Sequence, residues 1–173
     1  MTQAVETLLA ESEIRQLLAR YTDAIYRKDM DAVRDCWAGD GVWHAFGQRT
    51  AGREEIIGWL TNLTAMFSLI WQTAHGVVLE IDGETATARV HIDEISVDQQ
   101  DVRRFAMGIY HDRYSKIDGR WVFVERFWDL IYLGGADLSA KLWPVPAFGK
   151  PPFAQMDRPN RPTLEELASV LGL

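Results

Sequence analysis

The sequence predicts an α+β fold in which helices come first and an antiparallel sheet follows. Three observations carry this reading. Apolar residues recur at helical spacing in the first part of the chain. Long alternating segments then follow, separated by Asp-Gly turn signals. The strands run consecutively after three helices, which argues against a parallel α/β fold. The chain has 173 residues, 47% apolar and 25% charged, values that fit one globular domain.

The elements are justified in order. Ile14, Leu17, Leu18, Tyr21 and Ile25 form one helix face, with Ser12 as the expected N-cap. Asp29 is expected to cap a second short helix, Met30 to Trp37, with Val33, Cys36 and Trp37 inward. Gly39-Asp40-Gly41 breaks it, and Val42 to Phe46 reads as a short strand. Gly52 precedes a third helix, Arg53 to Leu63, with Ile56, Ile57, Trp59 and Leu60 apolar. Strands are expected at Ile70–Ile81, Glu84–Val97, Val102–Lys116 and Trp121–Leu133, with hairpin turns at Asp82-Gly83 and Asp118-Gly119. In the second of these strands Ala86, Ala88, Val90 and Ile92 alternate against Thr87, Arg89, His91 and Asp93. The expected organisation is a domain over 1–133 and a tail over 134–173. All six prolines lie in that tail, which ends in a capping-box pattern, Thr163 to Glu166, opening a helix to Leu171. An apolar, proline-stiffened tail is expected to close a pocket mouth or to lie on a neighbouring subunit.

Composition narrows the function. Twenty-five acidic residues against 18 basic ones give a net charge of −7, which argues against nucleic-acid binding. The single cysteine, Cys36, leaves no internal disulfide framework and no cysteine-based zinc site. The four histidines lack zinc-type helical spacing, so no metal is expected. No apolar run is long enough to span a membrane, and the acidic start lacks the pattern of a leader; a cytoplasmic location is the expectation. Glycine patterns for phosphate or dinucleotide binding and a nucleophile elbow are absent. Seven Trp, seven Phe and five Tyr residues suit either a tryptophan-rich core or a pocket for flat apolar ligands.

A series of local signatures carries a resemblance. In order these are Tyr21-Thr22-Asp23, Arg27 to Asp31, Ala38 to Trp43, Ala51 to Ile56, Thr73-Ala74-His75, Ile81 to Ala88 and Tyr114 to Trp121. Over residues 8–133 the chain resembles the SnoaL-like branch of the NTF2-like superfamily, near scytalone dehydratase. The resemblance implies a cone: a strongly curved antiparallel sheet wrapped around the N-terminal helices, enclosing an apolar cavity. It also implies an enzyme without a cofactor and a homo-oligomer, trimer or dimer. Fold alone does not determine function here.

The resemblance and the residues together mark candidate sites. Thr73-Ala74-His75 is similar to the segment bearing a catalytic histidine in scytalone dehydratase, and Ala88 to His91 to the strand bearing a second. His75 and His91 are therefore the candidate acid/base pair. A two-residue turn at Asp82-Gly83 sets His75 near Val90, on the opposite face from His91, and a bulge restores a common face; both arrangements are open. Aligned on Lys28-Asp29, the Tyr-Asp pair of scytalone dehydratase falls on Ile25-Tyr26, and its second tyrosine falls near Ala45, so neither tyrosine is matched. Tyr26 and Asp23, on one helix face, complete the catalytic candidates. Trp43, His44, Trp71, Tyr110, Arg126 and Trp128 are the candidate substrate contacts. Arg126 stands in an apolar row, so once buried it needs a partner: a substrate oxygen, or a carboxylate such as Asp23 or Asp93.

The expected activity is a cofactor-independent lyase or isomerase. It acts by acid/base elimination on a hydroxylated aromatic small molecule, either by dehydration or by retro-aldol-type cleavage releasing a small aldehyde. The alternatives are a non-catalytic small subunit of a ring-hydroxylating oxygenase and a small-molecule carrier.

Overall fold

In the computed structural model, which describes residues 2–143 and Ser169, the chain begins with helix α1 (Gln3–Arg27). Its buried face is Ile14, Leu17, Leu18, Tyr21, Ala24 and Ile25, as the periodicity predicts. The helix starts ten residues earlier than Ser12 marks, with Thr2 at the N-cap. Ser12 is an exposed position inside it, because the Ala-, Leu- and Glu-rich residues before it are good helix formers. Lys28 ends α1 in the left-handed region, φ 56°, and its Nζ donates to the Phe67 carbonyl at 2.6 Å. That bond ties the helix end to the start of the sheet.

Asp29 caps α2 (Met30–Arg34) by accepting the Ala32 N–H at 3.0 Å. This helix is shorter than expected, because Trp37 already belongs to strand β1 (Trp37–Ala45). The glycines at 39 and 41 sit inside that strand, within an irregularity between Trp37 and Val42. A Cβ on Gly41 would lie 2.9 Å from the Trp37 ring and 3.1 Å from the Ala38 carbonyl, so the bare backbone is what permits the bend. Phe46 and Gly47, both at positive φ, turn the chain into β2 (Gln48–Ala51). This polar strand has no alternation to reveal it in sequence. Helix α3 (Arg53–Ala65) buries Ile56, Ile57 and Leu60, with Trp59 partly buried beside them.

Four long strands follow: β3 (Phe67–Asp82), β4 (Thr85–Asp98), β5 (Arg103–Ile117) and β6 (Arg120–Gly134). The sheet order is β2-β1-β6-β5-β4-β3. All neighbours are antiparallel except β1 and β6, which run parallel. The sheet is therefore mixed rather than wholly antiparallel, and the N-terminal strand closes onto the last one. Register shifts in β3·β4 and β5·β6 add local bends. The result is a strongly curved sheet whose inner face and the helices share one core. The inner row of β4 is Ala86, Ala88, Val90 and Ile92, all buried, as the alternation predicts.

The β3–β4 turn is Gly83-Glu84, one residue later than the sequence suggests, since Asp82 pairs with Thr85. A bulge at Gly76 (φ 41°) then shifts the register again, and His75 stands directly opposite His91. The proline-rich stretch from Pro144 and the expected helix over 163–171 lie outside the described residues, Ser169 apart.

Candidate functional site

A cavity of about 340 Å³ opens between α1, α3 and the inner face of the sheet. Its walls are mostly aromatic and aliphatic. Trp43, Phe46 and Trp59 form one side, with Trp59 edge-on to Trp43 at 4.8 Å between ring centres. Phe67, Trp128, Leu130 and Leu133 form much of the rest. Trp128 packs at 4.7 Å on Tyr110. It has room to do so because Gly108 lies beneath it: a Cβ there would come within 2.7 Å of both Trp128 Cζ3 and the Asp129 carbonyl oxygen.

The polar groups in this cavity are few and clustered. Gln72 on β3 and Glu94 on β4 are cross-strand partners. The Gln72 Nε2 donates to Glu94 Oε2 at 2.8 Å and to the Tyr110 hydroxyl oxygen at 3.2 Å. Among the described residues, Glu94 is the one lining the cavity whose side chain is a carboxyl or a cation. Burial raises its pKa above the ordinary 4.5, and the Gln72 hydrogen bond only partly opposes this. Burial likewise pushes the Tyr110 phenol well above 10 and the Tyr21 phenol up to about 12, with Arg126 opposing both.

Behind Tyr110 lies a fully buried ion pair. Arg126 Nε and Nη2 donate to Asp112 Oδ1 and Oδ2 at 2.7 and 2.8 Å. Asp112 Oδ2 also accepts the Tyr114 hydroxyl at 2.7 Å. The guanidinium carbon stands 3.9 Å from the Tyr110 ring centre and 4.4 Å from that of Tyr21. Burial disfavours the Arg126 charge, but the Asp112 carboxylate outweighs it, so the guanidinium stays ionised. Removing one member of such a pair costs about 3–5 kcal/mol, because the other is left charged and unpaired.

The structure brings three of the ten sequence candidates to the cavity wall: Trp43, Tyr110 and Trp128. Arg126 is buried directly behind that wall, and its carboxylate partner is Asp112 rather than Asp23 or Asp93. The remaining six lie elsewhere and correct the expectation. His75 and His91 share a face, as a bulge allows, with ring centres 5.9 Å apart. That face is the outer one, opposite Ala74, Val77, Val90 and Ile92 of the core. There His75 pairs with Asp93 at 3.4 Å, both nearly half exposed. Trp71 projects from the same outer face, 50% exposed. His44 is also on the outer side, bonded to Glu125 at 2.8 Å and stacked on Phe127. Asp23 is bound to Arg27 on the exposed side of α1. Tyr26 is 46% exposed and packs edge-on against Trp71.

Four residues of the cluster, Glu94, Gln72, Tyr21 and Asp112, were not singled out by sequence reasoning. The signal was present. Glu94 simply continues the inward row Ala86, Ala88, Val90, Ile92, and Asp112 continues Ala106, Gly108, Tyr110. A polar residue completing an apolar row is the mark of a lined cavity. The last strand misleads, because a register shift between Arg113 and Tyr114 in the β5·β6 pairing sets Phe123 and Arg126 across from the inward Tyr114 and Asp112. The apolar row in which Arg126 stands, read at period two through Val122 and Val124, is broken there. Cys36 is buried, and burial raises its thiol to about 11. Among the described residues, no group of three or more His, Cys, Asp or Glu side chains is placed to hold a metal ion.

A curved six-stranded sheet wrapped on N-terminal helices around one apolar cavity is the NTF2-like cone. Within that class the chain belongs to the SnoaL-like domain family, whose model matches residues 6–127. Solved structures of the same fold include Rv3472 of Mycobacterium tuberculosis, a protein of unknown function (TM-score 0.73, 21% identity, covering 99% of this chain and 90% of that one). A candidate scytalone dehydratase from Novosphingobium aromaticivorans DSM 12444 matches at TM-score 0.74 and 15% identity, over 86% of this chain and 99% of that one. The LinA-type3 hexachlorocyclohexane dehydrochlorinase of Novosphingobium barchaimii LL02 matches at TM-score 0.72 and 14% identity, over 83% and 100%. No curated protein sequence matches the chain. Among the described residues, no helix is long and apolar enough to cross a membrane.

Proposed function

We propose that this protein is a lyase or isomerase that moves a proton within a small, uncharged, hydroxylated ring compound, with Glu94 as the acid/base group and Tyr110 as the hydrogen-bond donor. The observation that carries this reading is the Glu94 carboxyl in an aromatic cavity, joined to the Tyr110 hydroxyl through one amide nitrogen of Gln72. Burial makes the Glu94 carboxylate a stronger base than an exposed one. An anionic substrate would meet that carboxylate, with no cation among the described lining residues to balance it. Aromatic walls of this volume favour a one- or two-ring molecule.

The reaction is written as an elimination. The Glu94 carboxylate takes a proton from the carbon that joins a carbonyl carbon to the carbon bearing the leaving hydroxyl. Negative charge collects on the carbonyl oxygen, which accepts a hydrogen bond from Tyr110. The charge then collapses to form a double bond and expels the leaving hydroxyl, which takes the proton back from Glu94 and departs as water. Retro-aldol cleavage uses the same groups: Glu94 takes the hydroxyl proton, the C–C bond breaks as the aldehyde leaves, its electron pair passes to the carbonyl oxygen held by Tyr110, and Glu94 then returns the proton to the enolate carbon. The names dehydratase and dehydrochlorinase among the structural neighbours describe eliminations, which favours this class.

No added cofactor is required by these steps. The protein is further proposed to be a homo-oligomer. Trp71 and Ile95, paired on the outer face of β3 and β4 and each about half exposed, supply apolar area for a subunit contact.

Mass spectrometry of products tests the reading. The purified protein is incubated with hydroxylated mono- and diaryl compounds, without added cofactor. Loss of water or of formaldehyde in the parent, abolished in Glu94→Gln, is the expected result. Turnover that survives Glu94→Gln overturns the assignment. Ligand binding with no turnover of any compound favours a carrier.

A further inference from the structure

The Arg126–Asp112 pair is not symmetric with respect to the tyrosines around it. Tyr110, Asp112 and Tyr114 follow one another along the inner face of β5, and Arg126 is the cross-strand partner of Asp112. The carboxylate end is paired on both oxygens: it takes two N–H groups from Arg126 and the hydroxyl of Tyr114. The guanidinium end lies against ring faces, with its carbon 3.9 Å from Tyr110, 4.4 Å from Tyr21 and 4.0 Å from Phe123. Its other terminal nitrogen, Nη1, is buried and has no hydrogen-bond partner among the described residues. The buried charges therefore form a fixed dipole, positive toward the cavity and negative away from it.

We infer that this dipole sets the donor strength of the Tyr110 hydroxyl, with Arg126 acting through Tyr110 as a positioning residue. The inference rests on the proposed role of Tyr110 as donor to a developing oxygen charge. A cation stacked on a phenol ring stabilises negative charge on that ring, so the hydroxyl gives its proton more fully to an acceptor. The two ends of the pair act oppositely on the two tyrosines that flank it. Arg126 favours ionisation of Tyr110, whereas Asp112 opposes ionisation of Tyr114. The ring contact also limits where the hydroxyl can point, and Gln72 holds it from the other side at 3.2 Å.

The test uses 4-nitrophenol as a probe whose oxygen stands in for the developing charge. Its ionised form absorbs visible light, so the ionised fraction of bound probe is read directly against pH. Tyr110→Phe is expected to lower the ratio of ionised to neutral bound probe about tenfold, one pKa unit. Arg126→Met is expected to lower it in the same direction and to add nothing in the Tyr110→Phe background. Asp112→Asn, which leaves the guanidinium uncompensated, is expected to raise it, and Arg126→Lys to restore part of the loss. An unchanged ratio in folded Arg126→Met, or an equal effect with and without the Tyr110 hydroxyl, overturns the inference. Where Arg126→Met does not fold, a ratio that fails to rise in Asp112→Asn overturns it. A probe that does not bind, or whose ionisation ignores Tyr110→Phe, overturns the reading of the site itself.

Discussion

Gln72 and Glu94 face each other across β3 and β4 as backbone partners, and their side chains meet inside the cavity at 2.8 Å. The pairing places a carboxyl among tryptophans and gives it one amide donor in place of water. A carboxyl so placed is both a stronger base and a source of pH-dependent stability.

Replacing the carboxyl isolates the first property. Glu94→Gln keeps the shape and is expected to lower kcat by about 10²–10⁴-fold, the usual contribution of a positioned acid/base group. In the parent, kcat/KM should rise with pH through a single ionisation above the ordinary carboxyl value of 4.5. A rate independent of pH across that window would contradict the role of Glu94.

The same substitution reads out stability. The folded Glu94 pKa is raised, so between the unfolded value and the folded one the native state holds the extra proton. Stability from this group is present at low pH and is lost as pH rises through the folded pKa. Glu94→Gln should therefore gain Tm relative to the parent at pH 8 and show little gain at pH 4. Thermal unfolding at both pH values checks this; equal differences would remove burial as the cause.

Tyr110→Phe deletes one donor and no packing. It is expected to lower kcat about 100-fold, as loss of one oxyanion donor does elsewhere, with a small change in KM. Steady-state kinetics on the substrate found by product analysis decides it, and a change confined to KM would make Tyr110 a binding group only.

Gly108→Ala acts on the wall. The added methyl meets Trp128 and the Asp129 backbone oxygen, so the indole must move into the cavity. A destabilisation of about 1–3 kcal/mol is expected, with weaker binding of two-ring than of one-ring ligands. Calorimetry of both ligand sizes tests the size preference.

His75→Ala and His91→Ala are expected to leave kcat unchanged and to shift stability by no more than about 0.5 kcal/mol, since both side chains lie on the outer sheet face. A large loss of kcat in either would place chemistry on the outer face.

These predictions mark where reading the sequence succeeds and where it stops. The buried faces of α1, α3 and β4 are legible because periodicity 3.6 or 2 is a local property of the backbone. The second hairpin is legible because Asp118-Gly119 supplies the two left-handed residues its turn needs. Resemblance of ordered segments carries the SnoaL-like family. Trp43, Tyr110 and Trp128 reach the cavity wall because each lies on the inward face of its strand. For the candidates on strands, which face meets the core is settled by partners distant in sequence, whereas Asp23 and Tyr26 stand off the buried face of α1 that the periodicity already marks. A one-residue slip exchanges the faces of a strand, and β3 contains both a shifted turn and a bulge at Gly76. The parallel closure of β1 on β6 depends on pairing across about eighty residues, which no local pattern encodes. Local pattern therefore carries the helices, the long strands, the inward faces of α1, α3 and β4 and the family, but not β2. The assembled fold sets Glu94, and neither His75 nor His91, in the cavity wall, because burial is a property of the packed sheet and helices and not of any one strand.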